Sequence, residues 1–178
     1  MMPKIVTLAI LMKSLVFSQE LYIDGCAVDY SLMYSLAENE RHGKREIGYP
    51  YLISFNVKND AKAMRNEMKG EWLDWRTIDC KSESQCVENL HVLINKKVFN
   101  VDLGGYQFNY KWFKFPPEVY FSVRESYSKA CERLVQIYEQ YGWTWDAIAI
   151  YHNTKDEFRI PYAKRLAVNY QKNQLGGK

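Results

Sequence analysis

The sequence predicts a mainly α-helical (α+β) fold, in which a helical domain carries a small extended or β insert. Three observations lead to this prediction. Apolar residues make up 47% of the 178-residue chain and aromatic residues 15%, which is typical of a globular protein with a sizeable core. Apolar residues recur at helical spacing in several stretches, most clearly in 124–141. Only two short stretches, 48–57 and 98–103, have an extended pattern.

The first 18 residues have the pattern of a secretory signal peptide. Lys4 precedes an apolar run over 5–12, and Val16 and Ser18 stand at the spacing of a cleavage site. Lys13 interrupts the apolar run, which leaves a buried N-terminal helix as the alternative. The segment is too short for a transmembrane span.

Cleavage of the signal peptide 1–18 would leave one domain, 19–178, because no internal repeat and no long linker divides the rest of the chain. It would also remove Lys4 and Lys13 and lower the formal net charge from +3 to +1. So small a charge leaves no clustered basic face for nucleic acid. The sequence thus predicts a periplasmic or secreted protein that neither binds nucleic acid nor spans a membrane.

Four cysteines, Cys26, Cys80, Cys86 and Cys131, fit an exported protein with two disulfides. No Cys-x-x-Cys or Cys/His spacing of a zinc site is found, so neither a metal nor another cofactor is expected. Proximity along the chain favours Cys80 with Cys86, which leaves Cys26 for Cys131, and the pairing of Cys26 with Cys80 stays open.

The opening helix is expected from Asp29, as N-cap, to about Glu40. Its apolar stripe consists of Leu32, Met33, Leu36 and Ala37. Glu40 falls on this stripe, whereas Glu38 points away. Because helix phase is soft near a terminus, Glu38 remains the alternative to Glu40. A carboxylate on the buried side either pairs with a neighbour such as Arg41 or Lys44 or has a chemical role.

The next part of the chain alternates extended and helical patterns. The stretch 48–57 is aromatic and β-branched with Pro50 near its start, which predicts an extended segment or a short edge strand. A helix is expected over 61–69, and Trp72 and Trp75 are expected in the loop that follows.

A further helix follows Ser82 or Ser84, either of which suits an N-cap. His91 falls on its apolar face, where a histidine is usually a satisfied core residue. The stretch 98–103 is predicted to be extended and to end at the glycine pair 104–105.

The C-terminal half is predicted to be helical. The longest helix covers 124–141, and a second one follows Thr144, its N-cap, to about His152. A last helix is expected with Pro161 in its first turn and its end near Lys172.

Four patches carry residues that suit chemistry. In chain order they are Leu36-Ala37-Glu38-Asn39-Glu40, then 102–109, then 145–153, and then Tyr162-Ala163. In this order the patches resemble the motifs of the lysozyme-like lytic transglycosylases of the SLT type, especially the exported ones associated with conjugation and type IV secretion. The resemblance covers roughly 30–170, and 48–53 is similar to the aromatic-proline insert of that branch.

The resemblance implies a catalytic acid. Leu36-Ala37-x-x-Glu40 matches the family's Ile-Ala-x-x-Glu-Ser motif, which gives the role of the acid to Glu40. Arg41 stands where the family has Ser.

The resemblance also implies residues that contact the substrate. Residues 104–109 match the Gly-Leu-Met-Gln-Ile-Asn motif that lines the family's groove, with Gly105 and Tyr106 in place of Leu and Met. This implies substrate contacts by Tyr106, Gln107 and Asn109.

The third motif is Tyr-Asn-Ala-Gly in the family, and residues 149–153 match it without its Ala-Gly. It implies that Tyr151 contacts both the acid and the substrate.

The implied fold is lysozyme-like, and the implied activity is lytic cleavage of the β-1,4 bonds of peptidoglycan. Cleavage needs a proton on the leaving oxygen, and burial beside apolar side chains favours the protonated form of a carboxylic acid. In this family one Glu is acid and then base, and the product carries a 1,6-anhydro end. The implied partners are peptidoglycan glycan strands and, for this branch, a conjugation or type IV secretion apparatus.

Two other interpretations stay open. The chain could be a non-catalytic lysozyme-like module that binds glycan or a secretion partner. It could also be a hydrolysing muramidase, which needs a second carboxylate about 5 to 9.5 Å from the acid. Asp102 is the nearest candidate, although it is expected to fix the turn that follows it. His152, beside Tyr151, is a further candidate for the groove wall.

Overall fold

The computed structural model describes residues 25–176 and shows a mainly helical protein with one small antiparallel sheet. This confirms the mainly α (α+β) class predicted from the sequence. The predicted signal peptide, 1–18, lies outside the described residues. In the described range no helix is both long enough and apolar enough to cross a membrane.

Helices and strands alternate in the first half of the chain, and helices alone make up the second half. The helices are α1 (Tyr30–Glu40), α2 (Lys58–Met64), α3 (Glu83–Asn95), α4 (Pro117–Phe121), α5 (Val123–Tyr141), α6 (Trp145–Ile148) and α7 (Asp156–Gly176), with a 3-10 turn at Ala149–Tyr151. The strands are β1 (Leu52–Phe55), β2 (Glu71–Trp72), β3 (Thr77–Asp79), β4 (Val101–Leu103) and β5 (Phe108–Asn109).

The five strands form a sheet in the order β2-β3-β1-β4-β5, so β1 is central. Ile53 lies opposite Ile78 of β3 on one side and opposite Leu103 of β4 on the other. The predicted extended conformation is therefore confirmed, but the strand is central and the alternative of an edge strand was wrong. Pro50 precedes the strand, which begins at Leu52, and so its missing N–H costs the ladder no hydrogen bond.

Three of the strands were not predicted. β2, β3 and β5 have two or three residues each, which is too short for a period of two to be read from sequence. Trp72 belongs to β2 rather than to a loop, whereas Trp75 does lie in the loop before β3.

Two helices begin earlier than predicted. α2 begins at Lys58 with no side-chain cap from Val57. α7 begins at Asp156, so that Pro161 lies within the helix rather than in its first turn. The carbonyl of Lys155 accepts hydrogen bonds from the next turn, including one from Arg159 at 2.9 Å, which starts the helix before the proline.

The predicted caps of α1 and α3 are present. Asp29 accepts a hydrogen bond from the backbone N–H of Leu32, and Ser82 accepts one from that of Gln85. On α3 the buried residues are Cys86, Asn89, Leu90 and Leu93. His91 is exposed, so the prediction of a core histidine was wrong: the buried stripe passes one residue to the side of it.

Both disulfides expected from the sequence are present. Cys80 is joined to Cys86, which connects the end of β3 to α3. Cys26 is joined to Cys131, 105 residues further on, which fastens the segment before α1 to α5.

The turn between β4 and β5 is held against two other backbone segments. A Cβ on Gly104, whose φ is +76°, would lie 1.9 Å from the carbonyl oxygen of Tyr120. A Cβ on Gly105 would lie 2.6 Å from that of Gly48. Only glycines allow this approach, and it fixes β4 and β5 relative to α4.

Helix α1 packs mainly along α7 and also touches α5. Its buried residues join one hydrophobic cluster with the sheet and with α5. This packing brings the end of α1 and the start of α7 to the same place, and the candidate site lies there.

Candidate active site

One cleft in the described part of the chain brings three of the sequence patches together. It has a volume of about 460 Å³. The helical part of the chain, including the segment that joins the 3-10 turn to α7, contributes Glu40, Tyr151, His152, Asn153 and Phe158 to its lining. The sheet and its loops contribute Asn56, Arg76, Asn100, Asp102, Gln107, Phe108, Asn109, Trp112 and Phe113.

Glu40 is the last residue of α1 and lies in this cleft with a side chain only 8% exposed. The hydroxyl of Tyr162 donates a hydrogen bond to Glu40 Oε1 over 2.6 Å. The Nδ1 atom of His152 lies 3.5 Å from the same oxygen. The carboxylate is thus held by two side chains that carry exchangeable protons.

Glu38 is placed differently. Lys172 Nζ donates to its carboxylate over 2.6 Å, and Asn173 Nδ2 donates over 3.0 Å. Burial alone would raise the pKa of Glu38, but these hydrogen bonds and the Lys172 charge outweigh burial and lower it. Glu38 is therefore occupied in joining α1 to α7, and it does not line the cleft.

Two further contacts hold α1 against α7. Asn169 Nδ2 donates to Asn39 Oδ1 over 3.0 Å, and Asn173 Nδ2 donates to Ser35 Oγ over the same distance. Because these residues lie along one face of each helix, they set the position of α1 along α7. They thereby place Glu40 opposite Tyr162.

The ring of Tyr162 is fully buried and stacks on the ring of His152, with centroids 4.4 Å apart and planes 7° apart. Burial, followed by the charge of Glu40, holds the pKa of Tyr162 well above its usual value of 10.0. The phenol therefore stays protonated and acts as a donor to Glu40.

Burial alone would lower the pKa of His152, but the carboxylates of Glu40 and Asp102 outweigh burial. Arg165 opposes them, and the net effect raises the pKa of His152 above its usual value of 6.5. The imidazole is thus favoured in its charged form close to Glu40.

Asp102 lies on β4 and faces the cleft rather than the turn after it. Its carboxylate accepts hydrogen bonds from Asn56 over 2.8 Å, from Asn109 over 2.8 Å and from Arg76 over 3.3 Å. The prediction that Asp102 fixes the turn is therefore wrong, since its partners lie on neighbouring strands and loops. Burial, with a contribution from Glu40, raises the pKa of Asp102 despite these donors.

Asn109 lies beside Asp102 because the two residues are paired in register between β4 and β5. Its Nδ2 also donates to Asn100 over 3.0 Å, and its Oδ1 accepts from the N–H of Lys111. These contacts fix the orientation of the Asn109 carboxamide. Asn109 lines the cleft as part of a polar network centred on Asp102.

Gln107 lines the cleft in a left-handed backbone conformation, with φ of +49°. Its Nε2 donates to the carbonyl of Gly104 over 2.6 Å, which closes the turn. The amide nitrogen thus satisfies a backbone group, and the side-chain oxygen has no protein donor among the described hydrogen bonds.

Tyr151 lines the cleft with its ring, but its hydroxyl donates to the backbone carbonyl of Tyr106 over 3.0 Å. The hydroxyl bonded to Glu40 belongs to Tyr162 instead. Burial and the nearby Glu40 hold the pKa of Tyr151 well above 10.0.

Tyr106 does not line the cleft. Its side chain is 1% exposed and packs edge-on against Tyr127. This position departs from the expected substrate contact, because the glycine turn directs the ring of Tyr106 into the core while its carbonyl supports Tyr151.

Two large aromatic side chains stay exposed in the cleft. Trp112 is 71% exposed and Phe158 is 49% exposed. The other lining residues include five carboxamides, Asn56, Asn100, Gln107, Asn109 and Asn153. A surface of aromatic faces and neutral hydrogen-bonding groups suits a ligand with apolar C–H faces and many hydroxyl or amide groups.

No match to this chain was found among protein-family models, curated proteins or solved structures. Within residues 25–176, no three His, Cys, Asp or Glu side chains are grouped to hold a metal ion.

The sequence pointed to some residues of the cleft and missed others. Tyr162 stood in a recognised patch but had no assigned role, and its bond to Glu40 joins residues 122 positions apart. Asn56 and Arg76 were not noticed, since they follow or precede short strands and carry no motif. Asp102 and Asn109 bracket a glycine turn, which could have indicated that they face each other across a hairpin.

Proposed function

We propose that this protein is a lytic transglycosylase with a lysozyme-like fold, which cleaves the β-1,4 bond between N-acetylmuramic acid and N-acetylglucosamine in peptidoglycan. The observation that carries the proposal is the largely buried carboxylate of Glu40 in a cleft of carboxamide and aromatic side chains. The order of the sequence motifs supports the same activity.

In the proposed reaction Glu40 acts first as acid and then as base. Its carboxyl gives a proton to the glycosidic oxygen as the bond from that oxygen to the anomeric carbon breaks. The carboxylate then takes the proton of the muramic acid 6-hydroxyl, whose oxygen bonds to the anomeric carbon. No water is consumed, and a single carboxylate suffices.

The aromatic and carboxamide side chains of the cleft supply binding. Trp112 and Phe158 offer ring faces to the sugars, and the free carboxamide oxygen of Gln107 offers an acceptor. Asp102 holds Asn109 in place, and Tyr151 forms part of the wall near Glu40.

The proposal places the protein outside the cytoplasm, where peptidoglycan lies. Its two disulfides favour an oxidising compartment such as the periplasm. A conjugation or type IV secretion apparatus as partner follows from the sequence resemblance alone.

Digestion of purified sacculi followed by mass spectrometry tests the proposal. We expect muropeptides with 1,6-anhydro ends, and we expect Glu40→Gln to abolish them while the variant keeps the folding stability of the parent. Glu46→Gln is the matched control, because Glu46 is exposed and lies outside the cleft. Full activity of Glu40→Gln would contradict the proposal.

A hydrolysing muramidase is the second candidate, because Asp102 provides a second carboxyl group in the same cleft. Hydrolysis consumes water and leaves a reducing end, so the mass of the product separates the two reactions. Binding to sacculi without any released product would instead indicate a glycan-binding module.

A further inference from the structure

His152 lies in the cleft and contacts the proposed acid. Its Nδ1 atom is 3.5 Å from Glu40 Oε1, and its ring is stacked on Tyr162, whose hydroxyl donates to that same oxygen. The stacking fixes the plane of the imidazole. Glu40 and His152 are therefore held together by contacts from a third residue.

We propose that Glu40 and His152 act as one proton-holding pair, in which His152 is a positioning residue that keeps a proton beside Glu40 near neutral pH. The inference rests on the proposed function, because it concerns the proton that Glu40 delivers to the leaving oxygen.

The physical reason is coupled titration. An isolated glutamic acid has a pKa of about 4.3 and holds almost no proton at neutral pH. When two ionisable groups interact closely, they titrate with two apparent pKa values that describe the pair and not either group alone. The second proton is lost only at the higher of these two values. With an imidazole as partner, whose ordinary pKa is about 6.5, the pair keeps one proton where a lone carboxyl group has none.

The surroundings of His152 favour this arrangement. Its charged neighbours are Glu40 on α1, Asp102 on β4 and Arg165 on α7. The two carboxylates outweigh both burial and Arg165, so the pKa of His152 is raised. Tyr162 stays neutral and does not compete for the proton.

The proton balance closes over one turnover. The pair starts with one proton on His152, which passes to Glu40 and from its carboxyl to the glycosidic oxygen as the bond to the anomeric carbon breaks. Glu40 then takes the proton of the 6-hydroxyl as its oxygen bonds to that carbon. The pair ends with one proton again, and no outside donor is needed.

Histidine NMR titration tests the pair without any activity measurement. The chain has three histidines, so the spectrum of His152→Asn assigns the resonance of His152. We expect His152 to titrate above the ordinary histidine value of about 6.5, and to shift to lower pH in Glu40→Gln. His42, which contacts Asp74 instead, should not shift. If His152 titrates at the same pH in Glu40→Gln as in the wild type, the proposal that the two residues share a proton is overturned.

The pH dependence of anhydro-product release tests its role. We expect the activity of His152→Asn to fall progressively below that of the wild type as pH rises, because a lone carboxyl group loses its proton at lower pH than the pair does. His91→Asn should follow the wild type. A loss in His152→Asn that is equal at every pH would assign it a structural role only and overturn the inference.

The two experiments separate this inference from the proposed function. If the wild type releases no product, the proposed function fails and the proton-delivery role fails with it. If the wild type releases product but His152 titrates at the same pH in the wild type and in Glu40→Gln, the proposed function stands. Only the proposal that Glu40 and His152 share a proton is then overturned.

Discussion

The hydroxyl of Tyr162 donates a hydrogen bond to Oε1 of Glu40 over 2.6 Å. The two residues lie on different helices, α7 and α1, whose packing is fixed by side-chain contacts such as that of Asn169 with Asn39. The position of the proposed acid thus depends on how two distant segments of the chain pack.

Removal of this hydroxyl is expected to lower activity without unfolding the protein. Tyr162→Phe keeps the buried ring but removes one of the two groups that hold Glu40, and a hydrogen bond to a charged group contributes about 1.5–3 kcal/mol. We expect kcat for release of anhydro product to fall about tenfold or more, with KM little changed. The exposed Tyr138→Phe is the control, and an unaltered kcat in Tyr162→Phe would contradict the role assigned to this bond.

Loss of the exposed ring of Trp112 is expected to weaken glycan binding. In an inactive Glu40→Gln background, binding of soluble glycan strands can be measured by calorimetry without cleavage. We expect Trp112→Ala to bind about tenfold more weakly, since a stacked aromatic contact is worth up to about 1.5 kcal/mol. Trp75→Ala is the matched control, because Trp75 is 50% exposed but lies outside the cleft. Equal binding by both variants would show that Trp112 does not stack on the sugars of the glycan.

The long disulfide is expected to stabilise the protein more than the short one. In the chain-entropy model, a bridge across 105 residues, Cys26–Cys131, contributes about 4.7 kcal/mol to the free energy of unfolding. A bridge across 6 residues, Cys80–Cys86, contributes about 2 kcal/mol. Urea unfolding of the two double Cys→Ser variants measures the difference, and an equal loss in both would disagree with the model.

The free energy of unfolding is expected to fall at acidic pH because Asp79 becomes protonated. Asp79 is completely buried. Burial would raise its pKa, but hydrogen bonds from the N–H and side chain of Lys81, from Arg45 and from Tyr49 outweigh burial and lower it. A lowered pKa in the folded state means that this stabilisation is complete above the pKa of the unfolded chain. It is lost as pH falls through the folded value, below about pH 4.

The free energy of unfolding, measured by urea titration at pH 7 and at successively lower pH, checks this expectation. Asp79→Asn should be less stable than the wild type at pH 7 and should lose less stability on acidification. Glu139→Gln removes an exposed carboxylate on α5 and should behave as the wild type does. An Asp79→Asn variant with the same acid-side loss as the wild type would show that another group is responsible.

Local sequence patterns predicted correctly those features that depend on residues close together in the chain. The caps at Asp29 and Ser82, the long helix predicted over 124–141 and the Cys80–Cys86 disulfide were found from local signals. The pairing of Cys26 with Cys131 then followed because only these two cysteines were left. They failed for the strands, whose formation and position depend on pairing with other strands. The central position of β1 and the strands β2, β3 and β5 depend on partners far along the chain, which periodicity in so short a segment cannot reveal.

In the candidate site, too, some features follow from the local sequence and others only from tertiary packing. The stripe of α1 placed Glu40 on the buried side of its helix. Glu38 was expected to point away from that side, but its side chain is only 10% exposed because it packs against α7. The partners of Glu40 were a matter of tertiary packing, because Tyr162 and His152 reach it only when α7 folds along α1. Helical phase is a property of neighbouring residues and can be read from the chain. The environment of a carboxylate is made by residues more than one hundred positions away, and only the folded structure brings them together.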